Sequence, residues 1–474
     1  MQFLKASKLL IKNTIIYTIG TFGAKVLVFA LLPVFSFYLT KDDLGIYDLV
    51  MTTVSMLVPF VTLQISNGAY RWLLGVNDSQ LTDENCKIIT SSFVMISIGL
   101  LLFVAVYSLF SVFYEFKYTV YLMLLVITSS YLPYFQILLR GVKKTKLFTV
   151  SGLTNAFLLA SLNVLFLLKF DLGIKGLFIA TILSNTVTIL LVLFKGRILK
   201  YIKINKFSQK TLKEMLSFSI PLVPNMLSWW LVNSADKYLI FYFLNSEMNG
   251  LYAISSRFPT IIILVNSIFI LAWQDHMITD KGNSKERTEF DSKIFKIYMN
   301  FEFSMVFVLI AISELTVRYL IADEFYESYR YMPLLYIGGA FSAFSGYFGA
   351  AFIREKRTKV IFTSSIIGGI VNLLICFLLI EYIGLFASAL GTLVSFIIMF
   401  FIRIYQSSSF FKINIDYNRL FCLVIIALLY AIIVLLRIKF INEFLIFISL
   451  LLFFYLNKRI LSKMFLKMKQ IRIK

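Results

Sequence analysis

The sequence predicts an all-α polytopic membrane protein with about fourteen transmembrane helices, arranged as two pseudo-symmetric six-helix lobes plus two C-terminal helices. Three observations carry this fold class. Of 474 residues, 59% are hydrophobic and 15% are charged, and mean hydropathy is +0.85, whereas soluble domains sit near about 45–50% and about 25%. The apolar residues gather into fourteen runs, most of them near the roughly 20 residues that span about 30 Å of hydrocarbon. The basic residues gather in the short loops between runs, and mainly in every second loop.

Taken in order, the run 14–39 follows Lys5, Lys8 and Lys12. It is longer than a signal h-region and shows no small-residue cleavage site, so it reads as a retained first helix. The run 44–70 is too long for one straight crossing and is expected to be tilted or broken. Runs 88–112, 118–139, 147–168 and 173–194 complete the first lobe, residues 1–200. Runs 215–244, 250–278, 294–321, 331–352, 360–380 and 384–405 form the second, residues 201–410. Runs 419–436 and 441–457, the latter only marginally long enough, make the terminal pair, and a basic tail completes residues 411–474. Outer loops such as Thr40–Leu44 and Leu244–Asn249 are too short to hold a soluble domain.

Charge gives an independent reading of topology. With the amino end inside, 35 of the 46 Lys and Arg fall in cytoplasmic loops and tails, eight fall outside, and Lys25, Lys237 and Arg257 remain within apolar runs. Positive residues are retained on the cytoplasmic side of short loops, so both termini are expected in the cytoplasm. The net charge of +21 therefore reflects membrane topology and not nucleic-acid binding. Cys86, Cys376, Cys422 and the single His276 cannot build a zinc, haem or iron–sulfur spacing, and no cofactor is expected. No P-loop occurs, so any transport draws on an ion gradient (a coupling cation, H+ or Na+), the membrane potential or the substrate's own gradient.

The chain repeats internally. Phe37 to Tyr47 aligns with Tyr242 to Tyr252, each copy closing with Gly-x-Tyr. Lys144-Thr145-Lys146 echoes Arg357-Thr358-Lys359, and Gly176-Leu177-Phe178 echoes Gly384-Leu385-Phe386. Six helices per copy is an even number, so both copies enter from the same side as a parallel repeat.

All seven prolines lie within or beside apolar runs. A proline removes a helical hydrogen bond, which lipid tolerates only where protein or water satisfies the freed backbone. Pro33, Pro221, Pro224 and Pro259 are the candidate gating residues. Ionisable residues at membrane depth usually face a wet interior. Lys25, Asp48, Asp236, Lys237 and Arg257 are the candidate substrate-binding residues, with Lys25 and Arg257 suited to an anionic phosphate or acidic sugar. Glu302 and Glu314 are also at membrane depth, and Asp275-His276 reads as a solvated turn at the end of the eighth run.

The stretch Leu216 to Tyr238 carries Pro221-x-x-Pro224, then Ser228-Trp229-Trp230, then Asp236-Lys237-Tyr238. Together with Gly250-Leu251-Tyr252-Ala253, Arg257-Phe258-Pro259 and the opening Asn13 to Leu39, it resembles the bacterial polysaccharide (O-antigen type) flippases of the multidrug/oligosaccharidyl-lipid/polysaccharide exporter superfamily. The resemblance implies a V of two six-helix lobes plus two helices in the bacterial inner membrane. It implies transfer of an undecaprenyl-diphosphate-linked oligosaccharide to the outer leaflet for surface polysaccharide or lipopolysaccharide assembly, with a polysaccharide polymerase as a partner. It places the diphosphate or acidic sugars on Lys25 and Arg257. Lys237 stands where many members have arginine, so a point charge replaces a bidentate fork there. Two other functions remain open. A membrane-embedded glycosyltransferase or polymerase would need outer-face carboxylates such as Asp42-Asp43 and usually a large outer loop, which is missing. Multidrug efflux fits poorly with a cationic cleft.

Overall fold

The computed structural model describes residues 26–27, 29–74, 83–279, 284–437 and 441–472. Nearly all of these are helical, and no strand occurs among the described residues. The short α1 (Leu32–Tyr38) leads to α2 (Lys41–Thr62), α3 (Ile65–Leu73), α4 (Asp83–Phe113), α5 (Thr119–Gly141), α6 (Thr145–Val164) and α7 (Gly173–Lys195). The seventh run forms three helices, α8 (Gln209–Ser219), α9 (Leu222–Ser234) and α10 (Asp236–Phe243). The eighth forms two, α11 (Ser246–Arg257) and α12 (Thr260–Thr279). One helix serves each remaining run: α13 (Ser284–Leu320), α14 (Met332–Arg354), α15 (Thr358–Ile383), α16 (Leu385–Ser407), α17 (Tyr417–Leu436) and α18 (Ile441–Arg472).

Thirteen segments among the described residues are long and apolar enough to cross a membrane, from Lys41–Thr62 to Ile441–Lys458. They match runs two to fourteen in order. Half of the first run lies outside the described residues. The run 44–70 is broken as expected: Leu63 and Gln64 take left-handed φ angles of 46° and 54° between α2 and α3.

The chain forms two compact units, Met1–Trp230 and Leu231–Lys474, divided within α9. In the first, polar side chains tie helices together where water is scarce. Tyr134 of α5 donates to the Ile89 carbonyl of α4 at 2.9 Å, and Asn155 of α6 donates to Asn185 of α7 at 3.1 Å. Such bonds in lipid are worth about 1 kcal/mol each. The opposite face of α4 is apolar and exposed, with Leu101, Val106, Val112 and Phe113 all more than half accessible, as a lipid-facing surface requires.

In the second unit α14 is central, with 78% of its spanning window buried against 11% for α4. Its small residues Ala340, Ser345, Ala350 and Ala351 are fully covered and allow close helix approach. Between them Phe344, Tyr347 and Phe348 pack edge-on and tilted against Phe295 and Phe400, with centroids 5.1–5.8 Å apart. Arg403 of α16, 1% exposed, donates to the Ser345 carbonyl of α14 at 2.7 Å and to Ser364 and Ser365 of α15 at 3.0 and 3.2 Å. Charge counting placed Arg403 with a cytoplasmic loop. The structure places it inside the helix packing.

Two of the sequence echoes are local structural repeats. Thr40 caps α2 by accepting from the Asp43 amide, and Asn245 caps α11 by accepting from the Met248 amide. Asp42, Asp43 and Glu247 are then the first-turn acids that complement a helix N-terminus. Lys143 and Lys356 are left-handed, φ 60° and 56°, and each is followed by an amide reaching back five residues, Lys144 to Leu139 and Arg357 to Phe352, both 2.8 Å. That is the same Schellman closure in both units. The Gly176–Gly384 echo differs: Gly384 precedes the start of α16, but Gly176 lies inside α7.

Candidate functional site

The seventh and eighth runs supply most of the predicted site residues, and both are interrupted there. Ile220 and Pro221 form a turn between α8 and α9. Pro221 lacks the amide that would continue the helix, and Pro224 sits in the first helical turn of α9. Proline also opens α1, where Pro33 occupies the first turn and its carbonyl accepts from Ser36 at 2.8 Å. Phe258 and Pro259, both buried, separate α11 from α12, and Thr260 Oγ1 caps the freed Arg257 carbonyl. All four expected gating prolines therefore lie at helix starts or breaks, whereas Pro59 and Pro133 lie inside α2 and α5.

A further interruption at Ala235 precedes Asp236 in the first turn of α10. Asp236 is 2% exposed and hydrogen-bonded to the Tyr252 hydroxyl of α11, which also meets Thr392 of α16. Close by, Cys376 and Ser388 lie 3.0 Å apart. The Val232 carbonyl just before the break receives the Asn372 side-chain amide at 3.0 Å, so protein satisfies it, as lipid demands. Gly391 makes room for Asn372: a Cβ there would lie 2.5 Å from Asn372 Oδ1. These polar groups from five helices form one knot within the second unit. Lys237 and Arg257 are half-buried.

Asp48 lies in α2 of the first unit and is 2% exposed. In the same helix the Thr52 carbonyl accepts from the Trp230 indole at 3.1 Å, which gives the Ser-Trp-Trp segment a structural anchor. Lys25 lies outside the described residues. The remaining acids separate by environment. Glu314 accepts from Arg318 and Tyr326, both 2.6 Å, and from Asn442 at 2.8 Å. Glu302 is fully buried and accepts from Asn266 at 3.0 Å, whose carbonyl accepts from Tyr298 at 2.6 Å. His276 is not in a solvated turn: it lies 4.0 Å from the buried Asp291 carboxylate and packs against Trp273 and Phe290. Among the described residues no group of three His, Cys, Asp or Glu is placed to hold a metal.

The sequence reading missed a cavity in the first unit. It has a volume of about 440 Å³ and is walled by α3 on one side and by α8 and α9 on the other, with Tyr70, Arg71, Phe218 and Asn225 among its lining. Asp48, the first-unit substrate candidate among the described residues, does not line it. Arg71 had been counted as one of the cytoplasmic loop charges, a pattern that says nothing of shape. Its one sequence signal was the aromatic neighbourhood Tyr70-Arg71-Trp72.

The model of a family of polysaccharide biosynthesis proteins matches residues 10–273. A search of curated proteins returns no significant match. Among solved structures, the chain is similar to the lipid II flippase MurJ in an inward closed conformation, with TM-score 0.69 and 15% identity over 95% of this chain and 100% of that one. It is similar to an inward-facing multidrug resistance MATE family transporter of the MOP superfamily, with TM-score 0.62 and 16% identity over 83% and 94%. It is also similar to a MOP superfamily transporter from Pyrococcus furiosus, with TM-score 0.52 and 14% identity over 85% and 96%. At these identities the likeness is one of fold.

Proposed function

The chain belongs to the polysaccharide biosynthesis protein family, and on that premise we propose that it is a flippase for an undecaprenyl-diphosphate-linked oligosaccharide. In this reading it carries the lipid-linked sugar from the cytoplasmic to the outer leaflet of the bacterial inner membrane by alternating access. Both termini are proposed to lie in the cytoplasm. The observation that carries the proposal is the set of interruptions in the seventh and eighth spans, each beside a charge at membrane depth: Asp236-Lys237 after Ala235, and Arg257 before Phe258-Pro259. Broken backbone at membrane depth is tolerated only in protein or at a wet cavity, and transporters place substrate sites at such breaks.

The candidate residues divide by exposure. Half-buried Arg257 and Lys237, with Lys25, are proposed to meet the anionic head group, Arg257 through its bidentate fork. Buried Asp48 and Asp236 are proposed to hold their helices in register. Pro33, Pro221, Pro224 and Pro259 are proposed as the points where helices bend between inward- and outward-open states. The drive is proposed to be a coupling cation, H+ or Na+, and a polysaccharide polymerase is the proposed downstream partner.

The capped helix start that contains Asp42 and Asp43 supports transport over sugar transfer, because those carboxylates already serve the α2 N-terminus. In cells lacking the native protein, Arg257→Ala or Lys25→Ala is expected to abolish surface glycan export while protein level holds. Full export from both variants would remove the proposed site. Purified chain given lipid-linked donor is expected to leave the glycan length unchanged, and elongation would replace the flippase by a polymerase.

A further inference from the structure

The cavity of the first unit is built by three successive devices. Leu63 and Gln64 are both left-handed, φ 46° and 54°, a conformation that strains non-glycine residues and that persists only where surroundings enforce it. Thr62 Oγ1 accepts from the Gln64 amide at 3.4 Å, and Asn67 donates to Gln64 Oε1 at 2.8 Å, so the turn is braced on both sides. It frees α3 from the line of α2. Gly68 then lets α3 press on α8, since an added Cβ would lie 3.2 Å from both the Met215 Cβ and the Met215 carbonyl oxygen. One turn later the Arg71 guanidinium lies 4.4 Å from the Phe218 ring centroid and 5.7 Å from that of Trp72.

The Phe218 ring holds that guanidinium by its charge and engages none of its N–H groups in a conventional hydrogen bond, so the donors stay available. Among the described residues Arg71 has neither an ion pair nor a hydrogen bond. Among the described residues no carboxylate lines the cavity. Behind its wall a second guanidinium, Arg140, donates to the Tyr70 hydroxyl at 3.3 Å and lies over the Tyr70 and Phe148 rings, raising the positive potential further. The half-buried side chain of Asn225 has no hydrogen-bond partner among the described residues, and adds neutral donors opposite Arg71. A strained turn, a close helix approach and a stacked, uncommitted arginine converge on one space.

We propose that this cavity binds the diphosphate ester of a lipid-linked sugar, as a capture site distinct from the interruptions near Arg257. The Arg71 edge takes phosphate oxygens bidentately, Asn225 donates to the bridging region, and the Tyr70 and Phe218 faces pack on the first sugar. Leu74, Leu222 and Met226 complete an apolar flank for the proximal part of the lipid. The volume of about 440 Å³ falls within the roughly 300–1,000 Å³ of small-molecule sites. The proposal rests on the flippase reading for the identity of its ligand.

The test uses the full chain in lipid nanodiscs, with undecaprenyl diphosphate in the bilayer and inorganic pyrophosphate in solution as separate probes, and binding measured by native mass spectrometry and thermophoresis. Arg71 and Asn225 are surface or half-buried, so Arg71→Ala and Asn225→Asp are expected to keep the wild-type melting temperature. Each should weaken undecaprenyl diphosphate about tenfold or more, the first by losing charge-assisted bonds and the second by adding a like charge. Arg71→Lys should fall between, keeping the charge without the fork. Unchanged affinity in both Arg71→Ala and Asn225→Asp overturns the proposal. So does Arg71-dependent binding of pyrophosphate that undecaprenyl diphosphate fails to displace, which would mean a free-anion site. If these binding tests fail while Arg257→Ala still abolishes export, the cavity proposal falls alone. If the wild-type chain binds no undecaprenyl diphosphate and glycan export proceeds without it, the flippase reading falls.

Discussion

Gly391 offers a quantitative test of the second-unit packing. Its Cβ position lies 2.5 Å from Asn372 Oδ1, 2.9 Å from the Asn372 carbonyl oxygen and 3.5 Å from its Cα. Gly391→Ala therefore meets two obstacles of different kinds. The side-chain oxygen can rotate away, but only by breaking the 3.0 Å bond from Asn372 to the Val232 carbonyl, a loss of about 1 kcal/mol. The main-chain oxygen cannot rotate, so α15 and α16 must part, and overpacking of this type costs about 1–3 kcal/mol. Alanine's better helix propensity returns up to about 1 kcal/mol. The net is about 1–3 kcal/mol, or roughly 2–12 °C in melting temperature for a unit of this size. Gly152 in α6 is the control, because nothing lies within 4 Å of its added Cβ, and Gly152→Ala should leave melting unchanged or raise it. Thermal unfolding of purified protein in one detergent, followed by fluorescence, compares the two. A double variant, Gly391→Ala with Asn372→Ala, apportions the clash: partial rescue points to the side chain, none to the backbone. A Gly391→Ala protein as stable as wild type would refute the close approach.

Two further perturbations follow from named contacts. Arg403→Lys is expected to destabilise more than Arg403→Met, by about 1–3 kcal/mol, because lysine keeps a buried charge but cannot reach Ser345, Ser364 and Ser365 together; melting curves of the pair decide it. Asp416 caps α17 by accepting from the Arg419 amide and pairs with Lys296 at 3.2 Å, and these hold its carboxyl below the ordinary range. Its contribution is thus present at neutral pH and is lost as pH falls through the folded value, on the acid side of the ordinary carboxylate range. Asp416→Asn should remove that acid-side loss, seen as melting temperature against pH, and an unchanged acid slope would exclude this cap as its source.

The crossings were legible because lipid imposes length and hydropathy directly on sequence. Each of the thirteen described segments falls on an expected run. The number of helices within a run was not legible in full. Prolines marked the breaks at Ile220–Pro221 and Phe258–Pro259, but run length alone suggested a break in 44–70, and nothing placed it at Leu63–Gln64, where two ordinary side chains adopt φ 46° and 54°. Strain of that kind carries no turn signature in these residue types and shows only in the folded backbone. The same holds for Gly391, whose need for glycine is visible only once Asn372 stands against it. The repeated loops show the opposite case: Lys144-Thr145-Lys146 and Arg357-Thr358-Lys359 betrayed a shared fold because a Schellman closure is local and constrains a few consecutive residues.

Site residues expose a limit of charge counting, and three arginines show it. Arg71 and Arg403 were counted together as cytoplasmic loop charges, and Arg257 was set apart because it interrupts an apolar run. In the structure Arg71 is exposed and stacked at a cavity mouth, Arg403 is 1% exposed and bonded to serines and a carbonyl, and Arg257 ends a helix beside a buried proline. The positive-inside rule treats the first two alike because it depends on which side a residue enters from, a property fixed before packing. Function depends on what remains unsatisfied after packing. Arg403 has donated its hydrogens to protein oxygens, so its charge is held for the fold. Arg71 meets only the Phe218 and Trp72 rings, and among the described residues its donors make no hydrogen bond. An arginine's availability for substrate is therefore set by the order in which its face and its edge are used, which aromatic neighbours in sequence hint at and only the folded wall decides.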